Sequence, residues 1–494
     1  MTTGIDVQAI TAATIGDAPY RLLIAGEWRT ATDHATIDVS NPATGTVLTT
    51  VPAAGAEETR QAIDAAAAAL PGWAATPAPA RAAILRRVAA LMLERQERLA
   101  TIMTLEQGKP LSEARGEIAY AASFLSWFAG EAERIYGMTI PATLPNKRIL
   151  VLQQPVGVCA LITPWNFPAA MLTRKIGPAL AAGCTVIAKP ATQTPLSSYE
   201  IGKLFLEAGA PAGVVNIVTC KSARIFSEVV FGDDRVRKVS FTGSTEIGKQ
   251  LIRQSADTVK RVSMELGGNA PFIVFDDADL QPAVKGALAS KFRNAGQTCV
   301  CANRIFVQRG IYDRFVEAFS AEVAAMKIGN GLAPDTMIGP LIDQPAMAKV
   351  QEHIADATAM GAQIVTGGSA WDGSDAGNFW RPTVLANARP EMMVAREETF
   401  GPVAPLIPFD HEAEVLQMAN DTTYGLAAYF FTRDISRIFR VAEGLEYGII
   451  GANDGLPSTA QAPFGGVKQS GLGREGGPTG IDEYLEMKYL SLGL

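Results

Sequence analysis

Apolar and polar positions change their period several times along the chain. Residues 1–20 show no sustained period and read as a loosely held extension. Arg21–Trp28, Thr36–Val39 and Val47–Val51 lie between turns rich in Asn, Pro and Gly, and predict short strands. From Glu57 to Gly137 the period lengthens. Ile84, Val88, Leu91, Met92, Leu99 and Ile102 follow the spacing of one buried helical face, and Ala65–Ala69 adds helix propensity. Residues 138–156 alternate again around a basic turn and predict a projecting hairpin.

Continuous apolar runs then alternate with helical segments. Strands are predicted over Val156–Ile162, Cys184–Lys189 and Val214–Val218, and from Lys238; helices over Pro168–Ala182 and Leu196–Gly209, and from Ser244. This alternation implies an α/β fold with a mostly parallel sheet covered on both faces. Ligands bind such sheets at the strands' carboxyl ends. A second βα series starts at Pro271–Phe275 and runs to about residue 450, with helices near 311–327 and 345–360, and predicts another α/β domain. The tail, Glu483–Leu494, reads as a terminal strand pairing with the 138–156 hairpin or with a neighbouring subunit.

The 494 residues suffice for about three domains or sub-domains. Apolar content of 48% and charged content of 19% suit a soluble globular protein. A net charge of −7 leaves no electrostatic footprint for nucleic acid. Met1–Val7 lacks the basic and apolar regions of a signal peptide, and no apolar run is long enough for a membrane span. Five cysteines (159, 184, 220, 299 and 301) make no disulfide framework, and His34, His353 and His411 cluster with no metal ligands. The expectation is a cytoplasmic protein without metal, nucleic-acid or membrane partners.

Candidate chemistry centres on Phe292–Cys301, where Cys299 and Cys301 follow a Gly-Gln-Thr turn. Cys299 is a candidate nucleophile if exposed, or a small buried hydrophobe if packed. Asn166, in a loop stiffened by Pro164 and Pro168, can donate to an oxyanion or simply form a turn. Glu265 before Gly267 and Gly268 is a general base if burial raises its pKa, or a solvated turn residue. Phe241–Gly248 follows a strand and opens a helix; Gly243 and Ser244 suit a phosphate there, as they suit an ordinary capped helix.

Taken together, Asn166, Lys189, the Phe-Thr-Gly-Ser run at 241–244, Glu265 in Glu-Leu-Gly-Gly, Cys299 in Gly-Gln-Thr-Cys and Glu398 in Glu-Glu-Thr-Phe-Gly-Pro stand in one order and spacing. From about residue 20 to its end the chain resembles the aldehyde dehydrogenase superfamily. Gly296–Arg304 and Pro463–Glu475 are most similar to its succinate-semialdehyde branch. The resemblance implies a Rossmann-like parallel-sheet cofactor domain (1–137 and 157–269), a second α/β catalytic domain (270–481) and a small β oligomerisation arm (138–156 and 482–494) that builds a homodimer or homotetramer.

The resemblance also implies roles. Cys299 attacks the aldehyde, Asn166 holds the oxyanion and Glu265 activates the water that hydrolyses the thioester. Trp165, Lys189, Gly243, Ser244, Glu398 and Phe400 serve the cofactor. Thr192 stands where NAD-preferring relatives carry Glu, so NADP is expected to be preferred while NAD is accepted. Arg174, Arg293 and Ser458 match residues that hold the substrate's carboxylate; arginine's planar fork suits that task. The implied reaction is oxidation of succinate semialdehyde to succinate. Glutarate semialdehyde is the nearest alternative substrate, and a Cys-dependent (thio)esterase uses the same residues without cofactor. Cys301, two residues from Cys299 in a stretch taken as extended, is a candidate redox partner for it.

Overall fold

The computed structural model describes residues 6–16, 20–373 and 377–494. Its first sheet has eight strands in the order Gly471–Leu472, Arg261–Glu265, Val236–Thr242, Val158–Ile162, Thr185–Lys189, Val215–Ile217, Leu22–Ile24 and Glu27–Arg29. The five strands from Arg261–Glu265 to Val215–Ile217 run parallel, and those in the middle are almost wholly buried because helices cover both faces. Chain order reverses between Val158–Ile162 and Val236–Thr242. Loops leaving their carboxyl ends therefore diverge, and this opens the crevice in which α/β sheets hold ligands. Helix Pro168–Ala182 fills the core beside it. Proline occupies its first turn, left-handed Gly183 ends it, and every residue between is buried.

The second sheet has seven strands, in the order Gln363–Thr366, Thr383–Ala386, Val403–Phe409, Ala302–Gln308, Ala270–Val274, Ala427–Phe431 and Ile449–Ala452. All of its pairings are parallel except that of the first two. Phe272, Phe306, Phe409, Tyr429 and Phe431 belong to its core. Leu485–Gly493 pairs antiparallel with Lys147–Pro155, which also pairs with Met138–Ile140. Of the two partners expected for the tail, the hairpin is the one it meets within this chain.

Several expectations change. The extension at 1–20 contains the helix Val7–Ile15, capped by the Asp6 carboxylate and anchored by buried Ile15; residues 1–5 and 17–19 lie outside the described part. The single helical face over 84–102 is two helices, Ala78–Glu94 and Gln96–Gln107, broken at Arg95, and Ile84 is only half-buried. The strand drawn from Val156 begins at Val158. Gly157 turns the chain with φ +130°, a conformation closed to L side chains. Gly471–Leu472, inside the stretch 270–481, joins the edge of the first sheet instead of the second. No helix among the described residues is long and apolar enough to cross a membrane.

Candidate active site

Cys299 lies just before the strand Ala302–Gln308, packed against the core of the second sheet. Helix Leu280–Phe292 stops short of it, and Asn294, Ala295 and Gly296 follow with φ of 52°, 54° and 75°. Two consecutive left-handed L residues are costly unless their surroundings hold them. Here the Asn294 N–H donates to Glu113 at 2.8 Å, and its amide donates to the carbonyls of Asn166 and Gln297. A side chain on Gly296 would strike the Gly401 carbonyl at 2.3 Å. The strained turn presents Cys299, with Thr298 and Val300 beside it, to a cavity of about 330 Å³, while Cys301 stays buried outside it. Cys299 is half-buried, so it is packed against the second core and still lines the cavity.

Asn166 is set by the same network. Its amide donates one hydrogen bond to the Gln297 carbonyl at 3.0 Å, which leaves its second proton free. Its backbone carbonyl accepts from Lys109 Nζ at 2.8 Å and from Asn294 at 3.0 Å. Lys109 is fully buried, pairs with Glu117 and lies 3.9 Å over the Phe167 ring. Glu117 in turn accepts from the N–H groups of Ala169 and Ala170, so one carboxylate caps helix Pro168–Ala182 and fixes the loop before it.

Glu265 ends the strand Arg261–Glu265 and is 3% exposed, which removes the solvated-turn reading. Both of its carboxyl oxygens are buried without a hydrogen-bond partner among the described residues. Burial first, and the neighbouring Glu475 carboxylate second, push its pKa well above the usual range; Arg174, Lys175 and Arg474 offset part of this. The following glycines are required by contact. A Cβ on Gly268 would lie 2.4 Å from the Cys299 carbonyl, and one on Gly267 would lie 3.0 Å from a Glu398 oxygen. Burial pushes the Cys299 thiol up to about 12; Arg174 pulls it down, and Glu398 and Glu265 raise it further. The protein alone therefore keeps the thiol protonated at neutral pH.

Arg174, Arg293 and Ser458 line the Cys299 cavity together with Tyr120, Phe167 and Phe464. The two arginines differ. Arg174 is 1% exposed, bonds Glu475 through Nε at 2.5 Å and lies 4.1 Å over the Phe464 ring. Lys175 shares the Glu475 carboxylate. Burial alone would raise Glu475, but Lys175 and Arg174 hold it below the usual carboxylate range. Arg293 is partly exposed, lies 5.2 Å from the Phe167 ring and forms no ion pair among the described residues. Residue patterning missed Glu475, Lys109, Glu117 and Tyr120 as site residues. The Tyr120 hydroxyl is buried on the same cavity wall without a hydrogen-bond partner among the described residues.

The remaining expected residues gather at the carboxyl edge of the first sheet. Lys189 ends its strand, mostly buried, and burial lowers its pKa. Thr192 follows in the next loop, half-buried. Ser244 caps helix Thr245–Ser255 through a 3.4 Å bond from the Ile247 N–H, and Gly243 precedes it. Trp165 and Phe400 meet edge to face at 5.5 Å, with Phe400 held at φ 52°. Glu398 accepts from the Gly268 N–H at 3.2 Å, and burial pushes its carboxyl up to about 7. These groups suit a dinucleotide: a cation, helix N-terminal amides and a carboxylate stand beyond the strand ends of the first sheet, and neutral Thr192 adds no charge to repel a phosphate.

Cys301 departs from the extended geometry expected of it. Its N–H closes a turn on the Thr298 carbonyl at 3.0 Å, and its thiol donates to the Lys291 carbonyl at 3.3 Å.

Residues 28–490 match the aldehyde dehydrogenase family model. The chain is 60% identical over 472 residues to the NADP-dependent succinate-semialdehyde dehydrogenase of Escherichia coli K12, covering 96% of this chain and 97% of that protein. It is also 60% identical over 469 residues to the glutarate-semialdehyde dehydrogenase of Pseudomonas putida KT2440, covering 95% and 97%. The crystal structure of an E. coli NADP-dependent enzyme superposes with a TM-score of 0.95 at 59% identity, covering 96% of this chain and 98% of that one.

Proposed function

Because this chain belongs to the aldehyde dehydrogenase family, we propose that it oxidises succinate semialdehyde to succinate, preferring NADP and accepting NAD. The carrying observation is one cavity that brings the Cys299 thiol together with Arg174, Arg293 and Ser458. A nucleophile and two cations lining one cavity suit a short aldehyde that carries a carboxylate.

In the reaction the Cys299 thiol loses its proton to solvent, and the thiolate Sγ attacks the aldehyde carbon. The new oxyanion accepts from the free Asn166 amide proton and from the Cys299 N–H, which donates to no other backbone carbonyl among the described residues. A bound nicotinamide dinucleotide supplies the hydride acceptor; Lys189, Ser244, Glu398 and the Trp165–Phe400 pair would hold it. Glu265 then takes a proton from the water that hydrolyses the Cys299 thioester. Its unpartnered oxygens are free to do so, and its ionised fraction grows with pH. Cys301, two residues away, remains the candidate redox partner of Cys299, with its thiol bonded to the Lys291 carbonyl in the resting protein.

Residues 1–137 and 157–269 form the dinucleotide-binding part in this reading, and 270–481 the catalytic part apart from the edge strand Gly471–Leu472. The arm of 138–156 and 482–494 carries exposed Met138, Met487 and Tyr489, which suit burial in a homodimer or homotetramer. Equal identity to a glutarate-semialdehyde dehydrogenase favours that five-carbon substrate as the second reading. One methylene is worth only about 1–3 kcal/mol of discrimination. Initial rates on succinate, glutarate and uncharged aldehydes, each with NADP and NAD, decide between them. Turnover of esters with none of aldehydes would overturn both.

A further inference from the structure

A groove leads away from Arg293 along helix Leu280–Phe292, and the four-carbon reaction leaves it unused. Lys285, Leu288, Ala289 and Phe292 recur at i, i+3, i+4 and i+7, so they share one helical face. All four line an open cavity of about 350 Å³, with Met326, Met337 and Ile338 around it. Glu113, Arg293 and Leu456 line both this groove and the Cys299 cavity. The two are adjoining chambers with Arg293 at the junction. Leu456 and Met337 are 47% and 49% exposed, which leaves large apolar side chains in water beside a substrate cavity. Lys285, the one cation of the helix face, stands at its far end, about 12 Å of helix rise from Arg293.

We propose that this groove is an outer subsite for the distal half of medium-chain ω-oxo carboxylic acids. The methylenes lie on Leu288, Ala289, Met326 and Met337, the carboxylate reaches Lys285, and the aldehyde carbon reaches Cys299. This rests on the semialdehyde reading above. Continuity argues for this occupant, since a chain threaded from Cys299 past Arg293 enters the groove. Charge argues for it too, because one flexible ammonium beyond an apolar wall complements an amphiphile with one terminal anion.

The test is kcat/KM for ω-oxo acids of four to ten carbons, with nonanal as the uncharged control. After a decline just beyond the short acids, kcat/KM rises again for eight to ten carbons, by up to roughly fourfold per buried methylene. Lys285→Gln raises KM for the nine-carbon acid by about three- to fivefold and leaves succinate semialdehyde and nonanal unchanged. Leu288→Asp lowers kcat/KM for both nine-carbon aldehydes at least tenfold and spares the four-carbon acid. A monotonic loss of turnover with length, or equal effects of Lys285→Gln on the four- and nine-carbon acids, overturns the subsite. So does a change of oligomeric mass in either variant by light scattering, which would mean that a second copy covers the groove. Inactivity on every ω-oxo acid, succinate semialdehyde included, overturns the underlying reading instead.

Discussion

Arg174 Nε lies 2.5 Å from Glu475 Oε2, and Lys175 holds the other oxygen of the same buried carboxylate. Glu475 therefore fixes one wall of the substrate cavity and also raises the pKa of Glu265. Glu475→Gln should act in both places. Leaving two buried cations short of a partner costs about 3–5 kcal/mol, so thermal unfolding should move to lower temperature. With one negative neighbour gone, Glu265 ionises more easily, and the limb of the kcat–pH profile that depends on it shifts to lower pH. An unfolding temperature equal to wild type would remove the clamp role.

The βα alternation was legible because buried parallel strands read as continuous apolar runs, and Pro168–Ala182 matched to the residue. Cys299, Asn166 and Glu265, the candidate nucleophile, amide and base, were each ambiguous until their spacing was taken together. Glu475 was not legible as a partner of Arg174, because 301 residues separate them and only the fold brings them together. The Lys109–Glu117 pair was hidden for a related reason. Both look like ordinary helix-surface charges in sequence, and their burial beside Phe167 comes from tertiary packing. The break at Arg95 was missed because the apolar period continues across it.

The Cys299 thiol, held near 12 by burial, should react slowly at neutral pH. Thiolate is the reactive form and its fraction grows with pH. Alkylation of the free enzyme by iodoacetamide should therefore accelerate about tenfold per pH unit between pH 7 and 9. Glu398→Gln removes a negative neighbour and should raise the rate at each pH. A plateau below pH 8 in the wild type would contradict this.

Thr192 leaves the crevice beside Lys189 without a carboxylate. Thr192→Glu should lower kcat/KM with NADP by at least tenfold while leaving NAD within about threefold, because a carboxylate near a 2′-phosphate is repelled even through a partly solvated medium. An unchanged ratio of the two cofactors would place the selectivity elsewhere.

Cys301 lies in a turn with Cys299, which draws the pair toward the Cα separation of about 4.4–6.8 Å that a bridge requires. Peroxide oxidises the Cys299 thiolate to a sulfenic acid, and the Cys301 thiol then displaces water to close the disulfide. Activity lost to peroxide should return with dithiothreitol in the wild type and fail to return in Cys301→Ala. Irreversible loss in both would show that Cys301 is only packed against Lys291.

Arg174 and Arg293 share a cavity but not a situation, and this separates their effects. Arg174 is buried and bound to Glu475, so Arg174→Ala removes the proposed substrate cation and leaves the buried carboxylate with Lys175 as its one remaining ion-pair partner among the described residues. It should raise KM for succinate semialdehyde and also lower the unfolding temperature. Arg293 stands over Phe167 with no ion pair among the described residues. Arg293→Ala should therefore raise KM for succinate semialdehyde by one to two orders of magnitude, since charge-assisted bonds contribute about 1.5–3 kcal/mol, with little change in unfolding temperature. Butanal, which has the chain length without the carboxylate, should lose far less in either variant. Equal losses for both aldehydes in Arg293→Ala would mean that the side chain shapes the cavity and does not read the carboxylate. The carboxylate would then rest on Arg174 and Ser458 alone.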